Sequence, residues 1–271
     1  MLATLFASVI LLQRGAFFTP TPVAVDTMVD VGGYRVHCRI HRGTIPLTIL
    51  METGGAATLA SYGGLDSVLA QRTGATIIVY ERAGFGDSEL GALTLDPITQ
   101  VKQSAIVLER LRAPSRRIVV GHSYGGLMTV VHADLYRDQV AGVVLVDPMN
   151  SRFVDATGDF VYSTVPHITE PRNDRERAIA RLVNTFDTLL NTARVAEPKI
   201  RVPMVVITST RSMWNNRERE DRAWRTSHEA IVAAAPERRL VVAENSGHQI
   251  ALDRPDTVID AVVSVVENRA R

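Results

Sequence analysis

The chain has 271 residues, 46% hydrophobic and 22% charged, with 30 basic residues against 29 acidic ones. This balance excludes general disorder, and the length is enough to bury a sizeable core in one or two domains. It also argues against nucleic acid as a partner, because no excess of cations exists to displace phosphate counterions.

Residues 1–12 form an apolar stretch that Arg14 soon interrupts. The stretch is shorter than the about 20 residues of a membrane-spanning helix, and no basic residue precedes it as in a secretory signal. A leader, an interfacial anchor and an accessory helix packed on the domain stay open, the first two being favoured. A leader or anchor implies an exported or membrane-associated location, with weak membrane association through residues 1–18. An accessory helix implies a bacterial cytoplasmic one. Thr19-Pro20-Thr21-Pro22 reads as an extended linker.

Beyond the linker the chain alternates strand-like and helix-like segments. Runs at 27–31 and 34–41, joined by Gly32-Gly33, predict an opening hairpin. Short apolar runs at 47–52, 75–80, 117–120, 140–146, 204–208 and 239–243 suit strands buried on both faces. The single cysteine, Cys38, falls in the second run, where it reads as a small apolar side chain. One cysteine allows neither an intramolecular disulfide nor a cysteine-pair zinc site.

Helical spacing predicts helices over 59–72, 97–112, 125–137, 216–235 and 255–269. Such alternation makes a mostly parallel sheet with helices on both faces. Residues 149–202 break the rhythm, with no strand signal and an amphipathic helix over 174–195. An insertion of this kind is most simply a helical cap over the edge where open α/β sheets bind ligands. The expected organisation is therefore an apolar segment and linker at 1–22, a core at 23–148 and 203–271, and a cap at 149–202.

Directly after the run at 117–120 comes Gly121-His122-Ser123-Tyr124-Gly125-Gly126, and then a helix. This is G-x-S-x-G between a strand and a helix, the context that gives the motif meaning. The sharp turn strains the serine backbone, and flanking glycines remove side chains that would clash. Ser123 is then a candidate nucleophile at a helix N-terminus, where free amides favour developing negative charge.

A serine hydroxyl needs a base. His248, in Asn245-Ser246-Gly247-His248 after the last strand, reaches the same sheet edge as Ser123. His122 points away from Ser123 and supports the turn. His37 and His41 fall in the opening hairpin, on the outside of the fold. His132, His167 and His228 fall in helices or the cap, where structural roles suffice.

These motifs together make the chain similar to α/β-hydrolase-fold serine hydrolases, from about Thr27 onward. Glu81-Arg82-Ala83-Gly84-Phe85-Gly86-Asp87-Ser88 resembles the family's D-x-x-G-x-G-x-S turn. Val143-Val144-Leu145-Val146-Asp147 and Val202-Pro203-Met204-Val205-Val206-Ile207 resemble its sixth and seventh strands. The resemblance implies an α/β-hydrolase fold, a Ser-His-acid triad and an oxyanion hole.

Two departures stand out. The family usually has His-Gly after strand three, whereas this chain has Glu52-Thr53-Gly54-Gly55. Tyr124 and Gly55 amides would form the oxyanion hole, with Gly54 as the alternative to Gly55, and Thr53 or Glu52 would take over the histidine's support. The family also places its acid after strand seven, where Thr208-Ser209-Thr210-Arg211-Ser212-Met213-Trp214 offers none. Asp147 at the end of strand six is the replacement, a position that a minority of the family uses. Glu218 and Asp221, in a charged run, are weaker candidates.

A serine at this turn argues against the carboxylate-nucleophile chemistry of dehalogenases and epoxide hydrolases. No metal or cofactor motif is present, so neither is expected. The reading is a carboxylic ester hydrolase acting on a small-molecule ester of modest hydrophobic size. The alternatives are C–C, amide or lactone substrates on the same fold, or a non-catalytic binding protein. Apolar cap residues Phe153, Phe160, Val161, Tyr162, Val165, Ile168, Leu182, Val183 and Phe186 are candidates for the pocket or the cap's own core. Arg172, Arg175, Arg177 and Arg181 read as a solvated helix face.

Overall fold

The computed structural model describes residues 23–92, 96–158, 160–164, 168–214 and 217–268. Among them, strands β1 (Ala24–Asp30), β2 (Arg35–His41), β3 (Thr48–Glu52) and β4 (Thr76–Tyr80) precede β5 (Arg117–His122), β6 (Val140–Val146), β7 (Met204–Ser209) and β8 (Arg238–Ala243). They form one eight-stranded sheet in the order β1-β2-β4-β3-β5-β6-β7-β8. Gly32 and Gly33, with φ of 112° and 97°, turn β1 back against β2. That pair is antiparallel, as is β2 to β4, and the remaining pairings are parallel.

Helices α1 (Leu65–Thr73), α2 (Pro97–Arg110) and α3 (Tyr124–Leu135) connect the early strands. Between β6 and β7 lie α4 (Ser151–Thr157), α5 (Phe160–Thr164), α6 (Asp174–Asn184) and α7 (Phe186–Ala196). Helix α8 (Glu218–Ala233) precedes β8, and α9 (Ile250–Asp253) and α10 (Pro255–Asn268) close the chain.

Period-two alternation decides which layer covers which face. Ile49, Met51, Val120, Val144 and Ile207 pack with Leu65, Leu69, Val258, Val262 and Val265 of α1 and α10. Their neighbours Leu50, Ile78, Val119, Val143 and Val206 pack with α2, α3 and α8 through Val101, Met128, Trp224 and Ile231. The register sets Leu50 beside both Ile78 and Val119, so the core is continuous across the sheet. The central parallel strands β3 to β7 are buried along their whole length and apolar through their middles because both faces are covered, whereas the edge strand β8, which opens with Arg238 and Arg239, is partly exposed.

The eight expected strands are present, and two of the expected helices are each divided. The helix expected over 59–72 is a 3-10 turn at Leu59–Tyr62 followed by α1, because Gly63 and Gly64 take φ of 55° and 86°. Two successive left-handed residues cannot continue a right-handed helix. The helix expected over 174–195 breaks at Thr185 into α6 and α7. Thr185 takes φ −105° and ψ 3°, outside the helical region, although its N–H still reaches the Arg181 carbonyl at 3.0 Å.

The expected leader or anchor at 1–18 and the linker to residue 22 lie outside the described residues. The expected location is corrected, because no helix among the described residues is long and apolar enough to cross a membrane.

The packing gives a test of the core. Leu50 is fully buried in a central strand, so Leu50→Ala is expected to cost about 3 kcal/mol in urea unfolding. Val25, 52% exposed on the edge strand, should tolerate Val25→Ala within ~0.5 kcal/mol.

Candidate active site

Ser123 joins β5 to α3 with φ 53° and ψ −122°, a conformation that non-glycine residues rarely adopt. Three backbone bonds hold it there. Its N–H donates to Val146 O at 3.1 Å, and its carbonyl accepts from Gly126 N at 2.8 Å and Met149 N at 3.0 Å. A Cβ at Gly121 would lie 2.3 Å from Thr129 Oγ1, and one at Gly125 would lie 2.4 Å from the Thr53 carbonyl. Both positions therefore require glycine.

Ser123, His248 and Asp147 come together from three separate strand ends. His248 Nε2 lies 2.9 Å from Ser123 Oγ, and His248 Nδ1 lies 2.7 Å from Asp147 Oδ2. An ionised carboxylate can only accept, so Nδ1 carries the proton. Nε2 is then free to accept from the serine hydroxyl. The alternative acids go elsewhere. Asp221 accepts from Met213 N at 3.2 Å, and Glu218 pairs with Arg222.

Asp147 is fully buried and has a φ of 44°. Its Oδ1 accepts from Ser209 N and its Oδ2 from Ser209 Oγ, both at 2.9 Å. Burial works to raise its pKa. The hydrogen bonds from His248 and from the Ser209 amide outweigh that and hold the carboxyl below its usual range. Beneath it, buried His228 bonds Thr208 Oγ1 and the Pro148 carbonyl, both at 2.9 Å. The sequence reading missed Ser209, though its polar side chain at the end of β7 was a signal.

His122 donates from Nε2 to the His248 carbonyl at 2.9 Å, and the two rings lie 4.6 Å apart. It thus latches the loop that carries His248. Burial, reinforced by the neighbouring His248, pushes its pKa down to about 4, so the ring is neutral at pH 7.

A pocket of about 170 Å³ opens beside the serine, lined by Gly55, Ser123, Tyr124, Met149, Val161, Tyr162, Thr164, Leu182, Val183 and Phe186. The inserted helices thus contribute most of an apolar wall. The N–H of Tyr124, first residue of α3, has no acceptor within its helix. Phe153 and Phe160 turn instead to Trp214, at 5.8 and 5.1 Å between rings, and Val165 lies outside the described residues.

Arg82, buried after β4, reaches under the loop that follows β3. Its Nη1 donates to Thr53 O at 2.8 Å, and its Nη2 donates to the carbonyls of Gly54 and Gly55. The expected support from Glu52 is indirect. Its buried carboxyl accepts from Tyr80 Oη at 2.8 Å, and burial raises it to about 7 against the nearby Arg82.

Other expectations change with burial. His41 is buried and bonds Asp66 at 2.8 Å, and His37 meets Glu81 at 3.0 Å, so neither lies outside the fold. Arg181 is also buried, donating to the carbonyls of Ala83, Leu90 and Ala92. His132 is buried within α3, and His167 lies outside the described residues. His37, Glu81 and Asp87 bring potential ligand atoms within 4.8 Å of one another. Glu81 already accepts from the Leu59 and Asp87 amides, which makes it a fastener of that turn.

Comparison with known proteins follows the same lines. Residues 54–261 match the model of a family described as "Alpha/beta hydrolase family". The chain is 23% identical over 243 residues to the uncharacterized protein YqjL of Bacillus subtilis (strain 168), covering 89% of this chain and 92% of that one. Among solved structures it resembles an enol-lactonase from Burkholderia xenovorans LB400, with TM-score 0.68, 18% identity and coverage of 89% and 100%. A proline iminopeptidase from Mycobacterium smegmatis gives TM-score 0.66, 16% identity and coverage of 90% and 98%. At these identities the structural likenesses speak for the fold.

The neutral histidines set a pH dependence. A ring whose folded pKa lies below its unfolded value near 6.5 contributes fully above pH 6.5. That contribution drains as the pH falls toward about 4 for His122, and lower for His132, which burial takes to about 3. The urea midpoint should fall over pH 6.5 to 4, and His122→Gln should flatten part of that slope.

Proposed function

The chain belongs to the alpha/beta hydrolase family, and on that premise we propose that it is a serine hydrolase cleaving small carboxylic esters. The observation that carries the reading is the bonded run Ser123–His248–Asp147 beside an apolar pocket. Ser123 Oγ attacks the acyl carbon while His248 Nε2 takes its proton. The tetrahedral oxyanion is held by the Tyr124 and Gly55 amides. Collapse expels the alkoxide, which takes the proton from the imidazolium and leaves an acyl-enzyme. Water repeats the sequence, losing its proton to His248, and frees the acid. Asp147 fixes the tautomer and stabilises the imidazolium.

The inserted segment at 149–202 acts as the cap, and its side chains select the acyl group. A pocket of about 170 Å³ falls below the ~300–1,000 Å³ typical of drug-sized ligands, which favours short acyl chains.

Hydrolysis of p-nitrophenyl acetate, butyrate and octanoate tests the reading. The wild type should prefer the two short esters. Ser123→Ala should lower kcat by ~10⁶ and Asp147→Asn by ~10⁴. Absence of turnover by folded wild type, or full activity in Ser123→Ala, would overturn it. Phe186→Ala, which enlarges the pocket, should move the preference toward octanoate.

A further inference from the structure

We propose that Arg82 is a positioning residue for the oxyanion hole, holding the loop at 53–55 so that the Gly55 amide faces the serine. The inference rests on the acyl-transfer reading above and adds to it the means by which the hole is kept in shape. Gly54 and Gly55 have no side chain to restrict them, and glycine has the widest backbone freedom of any residue. An amide in such a loop is a poor electrostatic anchor unless something outside the loop fixes its direction.

The Arg82 guanidinium supplies that restraint. Nη1 bonds the Thr53 carbonyl at 2.8 Å and its hydroxyl at 3.3 Å, while Nη2 bonds the carbonyls of Gly54 and Gly55. In a trans peptide the C=O and the following N–H point in opposite directions across one plane. Fixing the Gly54 carbonyl toward Arg82 therefore turns the Gly55 N–H away from it. The pocket is lined by Gly55 and Ser123 together and not by Arg82.

The same cation also reaches the other half of the hole. Its Cζ lies 5.3 Å from the ring centroid of Tyr124, the residue that gives the second amide. One buried side chain thus touches both amide-bearing residues without facing the reacting atoms. The buried carboxyl of adjacent Glu52 lies within its field. A lysine would keep the charge but lacks the planar fork that reaches several carbonyls at once.

The test compares wild type, Arg82→Lys and Arg82→Ala on p-nitrophenyl butyrate, with near-UV circular dichroism to establish folding. Both variants are expected to lose kcat by ~10²-fold, the scale of one oxyanion donor, with KM within about threefold of wild type. Affinity for a butyl boronic acid, which forms a tetrahedral anion on serine, should fall by the same factor. Added guanidinium ion should restore part of the kcat of Arg82→Ala, which a general loosening of the fold would not allow. If Arg82→Ala does not fold, Arg82→Lys carries the kinetic and boronate comparison alone.

A folded Arg82→Lys with kcat within threefold of wild type would overturn the positioning role and leave the hydrolase reading intact. So would boronate affinity that stays at the wild-type level while kcat falls. Wild type without any Ser123-dependent turnover would overturn both.

Discussion

The geometry of the site depends on one backbone reversal. At Ser123 the chain passes from strand to helix through a left-handed residue, at a strain of about 1–3 kcal/mol. The bonds to Val146, Gly126 and Met149 offset that strain by tying the turn to β6 and to the segment after it. The reversal aims the hydroxyl off the sheet edge, begins α3 at Tyr124, and brings Gly125 against the carbonyls of Glu52 and Thr53. The β3 loop, the helix and the serine thereby share one position, and none can shift without the others.

Electrostatics then divides labour among similar side chains. His248, His122 and His228 all lie within a few ångströms of one another or of Asp147, yet only His248 has one nitrogen toward Ser123 and the other toward the carboxylate. His122 and His228 are buried with pKa values pushed down, so they act as neutral hydrogen-bonding groups. Their neutrality keeps the neighbourhood from filling with positive charge. Asp147 stays ionised in the interior because donors surround it: an imidazole, an amide and a hydroxyl.

Much of this arrangement is legible in the sequence because it is local. The parallel strands are short apolar runs bounded by turn residues, and the G-x-S-x-G turn needs only five adjacent positions. Ser123, His248 and Asp147 each sit just after a strand, so the topology alone brings them to one edge. Contacts between distant segments leave weaker marks. Arg82 reads as one residue of a turn motif, and its grip on 53–55 depends on how that turn sits beside β3. His41 looks exposed from its place in a hairpin, but Asp66, 25 positions away, covers it. The break at Thr185 lies in its backbone angles, which the periodicity of apolar side chains does not register.

Arg181 has a bearing on how rigid the pocket wall is. Its guanidinium donates to the carbonyls of Ala83, Leu90 and Ala92, and Gly84 has no room for a methyl group beside Ala178 of the same helix. Swinging α6 outward would break three charge-assisted bonds, each of about 1.5–3 kcal/mol, and uncover that packing. Wide opening is therefore a rare excursion of the native state. Helix α6 is therefore a fixed part of the pocket's frame, and the wall that its Leu182 and Val183 contribute keeps its position while looser parts of the molecule fluctuate.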